Sequence, residues 1–157
     1  MDLTEWTLER ALNLAVMMEE QSIQLYTITM NVVQNPGSKQ FLKELLEIEE
    51  GHKEKLVEAK SNPETIAETG SLNSKIIPDL GIAETSSDAT LSPGADYQQL
   101  LLFAAQREKD AHDYYTSLAG NFKGKRIGEM FEALAHEEMK HKYRLEREYD
   151  EFVLQDM

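Results

Sequence analysis

Two short segments of this chain share a spacing suited to metal chemistry, Glu49-Glu50-Gly51-His52 and Glu138-Met139-Lys140-His141. Both read Glu-x-x-His. On an α-helix, residues three apart lie on nearly the same face, so each segment aims a carboxylate and an imidazole in one direction. A further glutamate precedes each by 30 residues, Glu19 before Glu49 and Glu108 before Glu138. Four Glu and two His from a doubled helical hairpin form a metal-ligand set. Hard carboxylates with a few imidazoles suit iron or manganese, and with no Cys in the chain nothing favours copper(I) or a cluster. Two divalent cations would balance four ionised glutamates beside neutral histidines.

The two halves align at a single offset of 89 residues, which makes identical pairs of Leu12/Leu101, Ala15/Ala104, Glu19/Glu108, Tyr26/Tyr115, Leu45/Leu134, Glu49/Glu138, His52/His141, Lys53/Lys142 and Leu56/Leu145. A lone Glu-x-x-His on a charged helix is most often solvated surface. Two copies at one offset, each preceded by a glutamate within an apolar stripe, are a different matter. A buried charge is costly unless compensated, and small residues one turn away (Ala15 and Ser22, Ala104 and Ala111) leave room for a bulky centre.

The elements that must position these residues are four helices. Residues from about 4 to 34 carry Leu8, Leu12, Ala15, Glu19, Ser22, Tyr26 and Met30 at the spacing of one buried stripe. Asn35-Pro36-Gly37-Ser38 is a turn, with Ser38 the expected N-cap. The second helix, about 39–60, presents Phe41, Leu45, Glu49 or Ile48, His52 and Leu56. The third, about 96–119, opens on Asp96 with Gln99 as its capping-box partner and carries Leu101, Ala104, Glu108, Ala111 and Tyr115. The fourth, about 125–151, carries Ile127, Phe131, Leu134, Glu138, His141 and Leu145. At about 1.5 Å of rise per residue, both hairpins can bring their ligands level.

Residues 61–95 change character, with three of the four Pro, many Ser and Thr, and an apolar patch from Ile76 to Ile82. A connection this long inside one domain is a crossover or is functional. Here it would strap two hairpins related by a pseudo-two-fold axis, its apolar patch packing on the bundle. The fold class is therefore all-α, a ferritin-like four-helix bundle made of two repeated hairpins joined by a long crossover, in a single domain over 1–157.

Composition narrows the function. The 157 residues include 29 acidic and 16 basic side chains, a formal net charge of −13, which argues against nucleic-acid binding through phosphate neutralisation. No apolar run is long enough for a membrane span, and Met1-Asp2-Leu3-Thr4-Glu5 lacks the pattern of a signal peptide. The absence of Cys excludes disulfides, thiolate zinc sites and iron–sulfur centres. A cytoplasmic protein is the plain expectation.

The whole chain resembles the rubrerythrin-like branch of the ferritin-like superfamily, through Glu19-x-x-Ser22-x-x-x-Tyr26, Glu49-x-x-His52, Glu108-x-x-Ala111-x-x-Tyr114-Tyr115 and Glu138-x-x-His141. The resemblance implies a di-iron peroxide reductase with two iron ions per chain, manganese or zinc being alternatives. It implies that Glu49 and Glu138 bridge the metals, with Glu19 and His52 completing one shell and Glu108 and His141 the other. A homodimer is also implied, with a hairpin swap through the crossover compatible with the same ligands. Two departures stand out. Rubrerythrins carry a Cys-rich rubredoxin domain, whereas here an external electron donor, such as a rubredoxin-like protein, would be required. They also place an extra Glu one turn after the third-helix ligand, where this chain has Ala111.

The expected reaction is reduction of hydrogen peroxide. The alternatives are a ferroxidase using oxygen, a non-catalytic iron- or zinc-binding protein, and an interaction module with vestigial ligands. Tyr26 and Tyr115, two turns from the ligating Glu residues, either hydrogen-bond carboxylates or only pack. His112 reads as a surface or interface residue, with an added ligand or proton donor as the other reading. His136 reads as exposed. Trp6, Met17, Met18, Met130 and Met139 read as core or dimer contacts.

Overall fold

The computed structural model describes residues 6–73, 75–77 and 95–155. Four long helices account for most of them: α1 (Leu8–Val32), α2 (Pro36–Ser61), α4 (Tyr97–Asn121) and α5 (Arg126–Gln155). A short helix α3 (Pro63–Thr69) follows α2, and two minimal strands, β1 (Trp6–Thr7) and β2 (Lys75–Ile77), pair antiparallel with Trp6 opposite Ile77. α1 packs along α2, and α4 along α5. The result is the expected all-α bundle of two hairpins. No described helix is long and apolar enough to cross a membrane.

The chain begins α1 later than its periodicity predicts. Trp6 and Thr7 are strand, and the Thr7 hydroxyl accepts from the Arg10 N–H as the N-cap. The pairing that holds them extended comes from the crossover, where Leu72 O also accepts from Glu9 N at 2.9 Å. The start of α2 also differs from the expected Ser38 cap. Asn35 is the N-cap, its side chain accepting from Gly37 N and Ser38 N at 2.8 and 3.1 Å, and Pro36 occupies the first turn where a missing N–H costs nothing. Ser38 is instead buried and donates to Glu148 at 2.7 Å, sharing that carboxylate with Tyr97. At the start of α4 the capping box of Asp96 and Gln99 is present as expected. α5 runs on to Gln155.

The crossover is not a plain strap. Asn62 ends α2 and caps α3, and Gly70, at φ +84°, terminates α3 in a conformation that suits glycine. Glu68 ties α3 to the start of α5, through Lys125 Nζ donating to its carbonyl at 2.6 Å and Arg126 N to its carboxylate at 3.1 Å. Of the apolar patch, the backbone of Ile76 and Ile77 lies in β2, and the remainder lies outside the described residues.

The core divides in two. One cluster joins Leu8, Leu12 and Leu56 to Tyr115, Phe122 and Phe131; the other joins Leu25, Tyr26 and Leu45 to Tyr97, Leu101 and Leu145. Each hairpin contributes to both. α1 and α4 therefore run antiparallel, since the first turns of one share a cluster with the last turns of the other. Between the clusters lies the layer that holds the polar residues. Glu49 is fully buried there, while Ile48 is only partly so, which decides between the two. Met18, Met130 and Trp6 pack against the first cluster, whereas Met17 and Met139 are largely exposed and are not core residues.

Candidate metal centre

Every long helix sends one or two side chains into the middle layer. Glu19 comes from α1, Glu49 and His52 from α2, Glu108 from α4, Glu138 and His141 from α5. Each occupies a core position of its helix stripe, and none is more than 4% exposed. The six residues come level, as the helix counts require.

The arrangement is close to two-fold symmetric. His52 Nδ1 lies 2.9 Å from Glu138 Oε1, and His141 Nδ1 lies 2.8 Å from Glu49 Oε1. The approaches to the remaining glutamates agree in length, at 3.7 Å from His52 Nδ1 to Glu19 Oε1 and 3.6 Å from His141 Nδ1 to Glu108 Oε2, though the Glu19 oxygen is the one that Tyr115 also holds. The two imidazoles lie 6.0 Å apart and within 17° of parallel. Ligand atoms of Glu19, Glu49, His52 and Glu138 fall within 4.8 Å of one another, and so do those of Glu49, Glu108, Glu138 and His141. Glu49 and Glu138 are common to both groups.

The donor set fits a metal better than it fits itself. Glu19 Oε2, both Glu49 oxygens, Glu108 Oε2, Glu138 Oε1, His52 Nδ1 and both His141 nitrogens are buried without a hydrogen bond. An unpaired buried polar atom costs about 1–3 kcal/mol, so a folded protein does not gather eight of them in one layer without a partner of another kind. Divalent cations bonded to carboxylate oxygen and imidazole nitrogen would supply that partner.

The remaining carboxylate oxygens are held by tyrosines. Tyr115 donates its hydroxyl to Glu19 Oε1 at 2.7 Å, and Tyr26 donates to Glu108 Oε1. Each tyrosine thus serves the glutamate of the opposite repeat. The antiparallel run of α1 and α4 accounts for this, since a residue two turns beyond one glutamate lies beside the other helix. The identical offset of the Tyr pair was the available signal, but helix periodicity alone does not say which glutamate is met.

Electrostatics in the metal-free layer point the same way. Burial pushes Glu49 and Glu138 well above the ordinary carboxylate range, and the nearby Glu108 charge adds to it. Burial acts to raise Glu108 too, but the adjoining Glu138 carboxyl and His141 imidazole outweigh it and hold Glu108 low. Burial and the adjoining glutamate charges raise both Tyr26 and Tyr115, so their hydroxyls stay protonated as donors.

His112 is not brought into this layer. It is partly buried on the outer side of α4 with Nδ1 2.8 Å from Ala135 O, and it shares a shallow surface hollow with the exposed His136. Ala111 is buried in the first core cluster.

Comparison with known proteins agrees with the geometry. Residues 99–156, the α4–α5 hairpin, match the family model of Rubrerythrin. The fold is similar to that of a dodecameric thioferritin, a bacterioferritin-related protein from Bacteroides fragilis, with a TM-score of 0.67 and 19% identity over 94% of this chain and 86% of that one. No curated protein matches the sequence. The family match covers the α4–α5 hairpin alone, and a likeness at this identity shows the architecture of the bundle.

Proposed function

We propose that this rubrerythrin-like chain is a di-iron oxidoreductase that reduces hydrogen peroxide with electrons from an external donor. The observation that carries the reading is the pair of overlapping buried ligand groups with Glu49 and Glu138 in common. In this reading Glu49 and Glu138 would be shared by two iron ions, one of which Glu19 and His52 would also hold and the other Glu108 and His141. Bound there in the ferrous state, the ions supply one electron each to the O–O bond of hydrogen peroxide, which with two protons yields two waters.

The protein's part is positional. The core clusters on either side of the layer keep bulk water away, which strengthens each charge interaction within it. Tyr26 and Tyr115 hold one oxygen of each terminal carboxylate, leaving Glu19 Oε2 and Glu108 Oε2 buried without a hydrogen bond. Outer partners of this kind fix ligand orientation and tune the metal. The chain has no Cys and so no cluster of its own for re-reduction. A separate protein, rubredoxin-like in chemistry, fills that role.

A second reading has its own support in the likeness to a thioferritin fold and in Ala111, where the rubrerythrin resemblance expects a further glutamate. In that reading the same ligands oxidise ferrous ion with oxygen and the protein sequesters the product. An anaerobic ferrous titration followed by one stoichiometric addition of peroxide separates the two. Two irons per chain, oxidised much faster by peroxide than by oxygen, is the expected result. Faster oxidation by oxygen would establish the ferroxidase, and failure to take up iron would overturn both.

A further inference from the structure

The two-fold symmetry of the ligands is not matched by their surroundings. Between the hairpins, α1 and α4 are in somewhat fuller contact than α2 and α5, and a groove of about 680 Å³ opens between α2 and α5. Ile48, Gly51 and His52 line it on the α2 side, with Ala133 and Leu134 opposite on α5. One metal-ligand candidate, His52, therefore forms part of its wall. His141 buries both ring nitrogens without a partner, whereas His52 buries only Nδ1 in that way, so His52 Nε2 faces the groove.

Gly51 is the residue that the fold does not explain. A glycine inside a helix costs up to about 1 kcal/mol relative to alanine. Its backbone is not in the positive-φ region, and a Cβ there would meet nothing within 4 Å. Neither conformation nor packing asks for glycine. What the missing side chain does provide is open space beside His52. The repeat-related position is Lys140, so the two halves differ at the middle of the Glu-x-x-His motif itself.

We propose that the α2/α5 groove is the path by which small solutes reach the metal centre, that it arrives from the His52 side, and that Gly51 keeps it open. The inference rests on the di-metal reading above. It makes the two half-sites kinetically unequal although their ligands are equivalent: the ion held by Glu19 and His52 exchanges first, and the ion held by Glu108 and His141 exchanges behind it.

The test follows cobalt(II) uptake by the apo protein through its visible absorbance, then its removal by excess chelator, so that no turnover is needed. Wild type should bind two ions and release them in two phases. Gly51→Phe should slow uptake and release at least tenfold at unchanged final stoichiometry. Ala133→Phe, on the opposite wall, should do the same, and covers the case in which Gly51→Phe fails to fold. Gly51→Ala should slow exchange measurably but less than Gly51→Phe, and the repeat-related Lys140→Phe should behave as wild type. Wild-type rates in both groove-filling variants at full stoichiometry would overturn the access path while leaving the centre intact. A wild-type protein that binds no cobalt would instead overturn the di-metal reading, and the path with it.

Discussion

The two hairpins present the same ligands in different settings. Glu19, Glu49 and His52 in the first match Glu108, Glu138 and His141 in the second, with distances that agree to about 0.1 Å. Around them several core positions are kept, such as Leu12/Leu101, Ala15/Ala104 and Leu45/Leu134, but other neighbours are not. Ser22 stands opposite Ala111 and Gly51 opposite Lys140, and the turns differ as well, Asn35-Pro36-Gly37 in one hairpin and Phe122 to Lys125 with a positive-φ Gly124 in the other. The family match covers 99–156, which is the second hairpin. The comparison teaches which residues a shared chemistry constrains. Six ligands and two tyrosines must meet at one point, and each helix has only to be long, apolar on one stripe and correctly stopped.

The strongest way to break the equivalence of the halves is to remove a shared ligand. Because Glu49 and Glu138 belong to both ligand groups, Glu49→Ala or Glu138→Ala should abolish two-metal loading, as read by anaerobic ferrous titration. Glu19→Ala and Glu108→Ala each remove a residue of one group only and should leave about one ion per chain. Retention of two ions in Glu49→Ala would remove the bridging assignment.

Next in size is the loss of metal altogether. Metal that binds only the folded state at 100 to 1,000 times its Kd adds about 3–4 kcal/mol of stability, which calorimetry of loaded and chelator-treated protein should show. The apo protein should also depend on pH in a definite direction. Glu49 and Glu138 have folded-state pKa values raised from the ordinary 4.5. Such groups contribute stability that is complete below that value and lost as the pH rises towards the raised ones. The Tm of the apo protein should therefore fall as the pH rises above the ordinary carboxylate value. The loaded protein should not follow, because deprotonation favours metal binding. An apo Tm that rises there would contradict the burial of an uncompensated carboxylate cluster.

How much of this was legible in the sequence depends on the range of the interaction that decides each feature. The gathering of the six Glu and His side chains was, because i to i+3 spacing is local and the 89-residue offset repeats it. The Asp96 capping box was, because its two partners sit three residues apart. The beginning of α1 was not, because Trp6 and Thr7 are held extended by β2 about 70 residues away. Ser38 was misread as a cap because its partner, Glu148, lies across the bundle, while Asn35 and Pro36 already supplied a complete helix start. The cross-pairing of Tyr26 with Glu108 and Tyr115 with Glu19 likewise needed the antiparallel placement of α1 and α4.

That cross-pairing allows a sharper test of the symmetry. Tyr26→Phe and Tyr115→Phe each remove one hydroxyl from a buried terminal carboxylate without changing much volume. A hydrogen bond to a charged group contributes about 1.5–3 kcal/mol. Both variants should lose about that much in denaturant unfolding of the metal-free protein. They should diverge in cobalt release if access is one-sided. Tyr115→Phe loosens Glu19, on the His52 side, and should speed the first phase, whereas Tyr26→Phe loosens Glu108 and should change mainly the second.

The smallest effects come from two glycines in the second helix of each hairpin, and here the halves should respond with opposite sign. Gly128, in the first turn of α5, lies so close to the turn before it that an added Cβ would collide with the Phe122 carbonyl. That obstacle is backbone, anchored by Phe122 N donating to Leu118 O and by Phe122 O accepting from Lys125 N, and it cannot swing aside. Gly128→Ala should therefore destabilise by about 1–3 kcal/mol, the usual cost of overpacking. Gly51→Ala meets no atom within 4 Å and gains helix propensity, so it should stabilise by up to about 1 kcal/mol. If both alanines destabilise, Gly51 serves packing or backbone conformation after all, and the openness of the groove beside His52 becomes a by-product of that need. If the signs differ, glycine at 51 is held against the preference of its own helix, which is the signature of a position kept for access rather than for the fold.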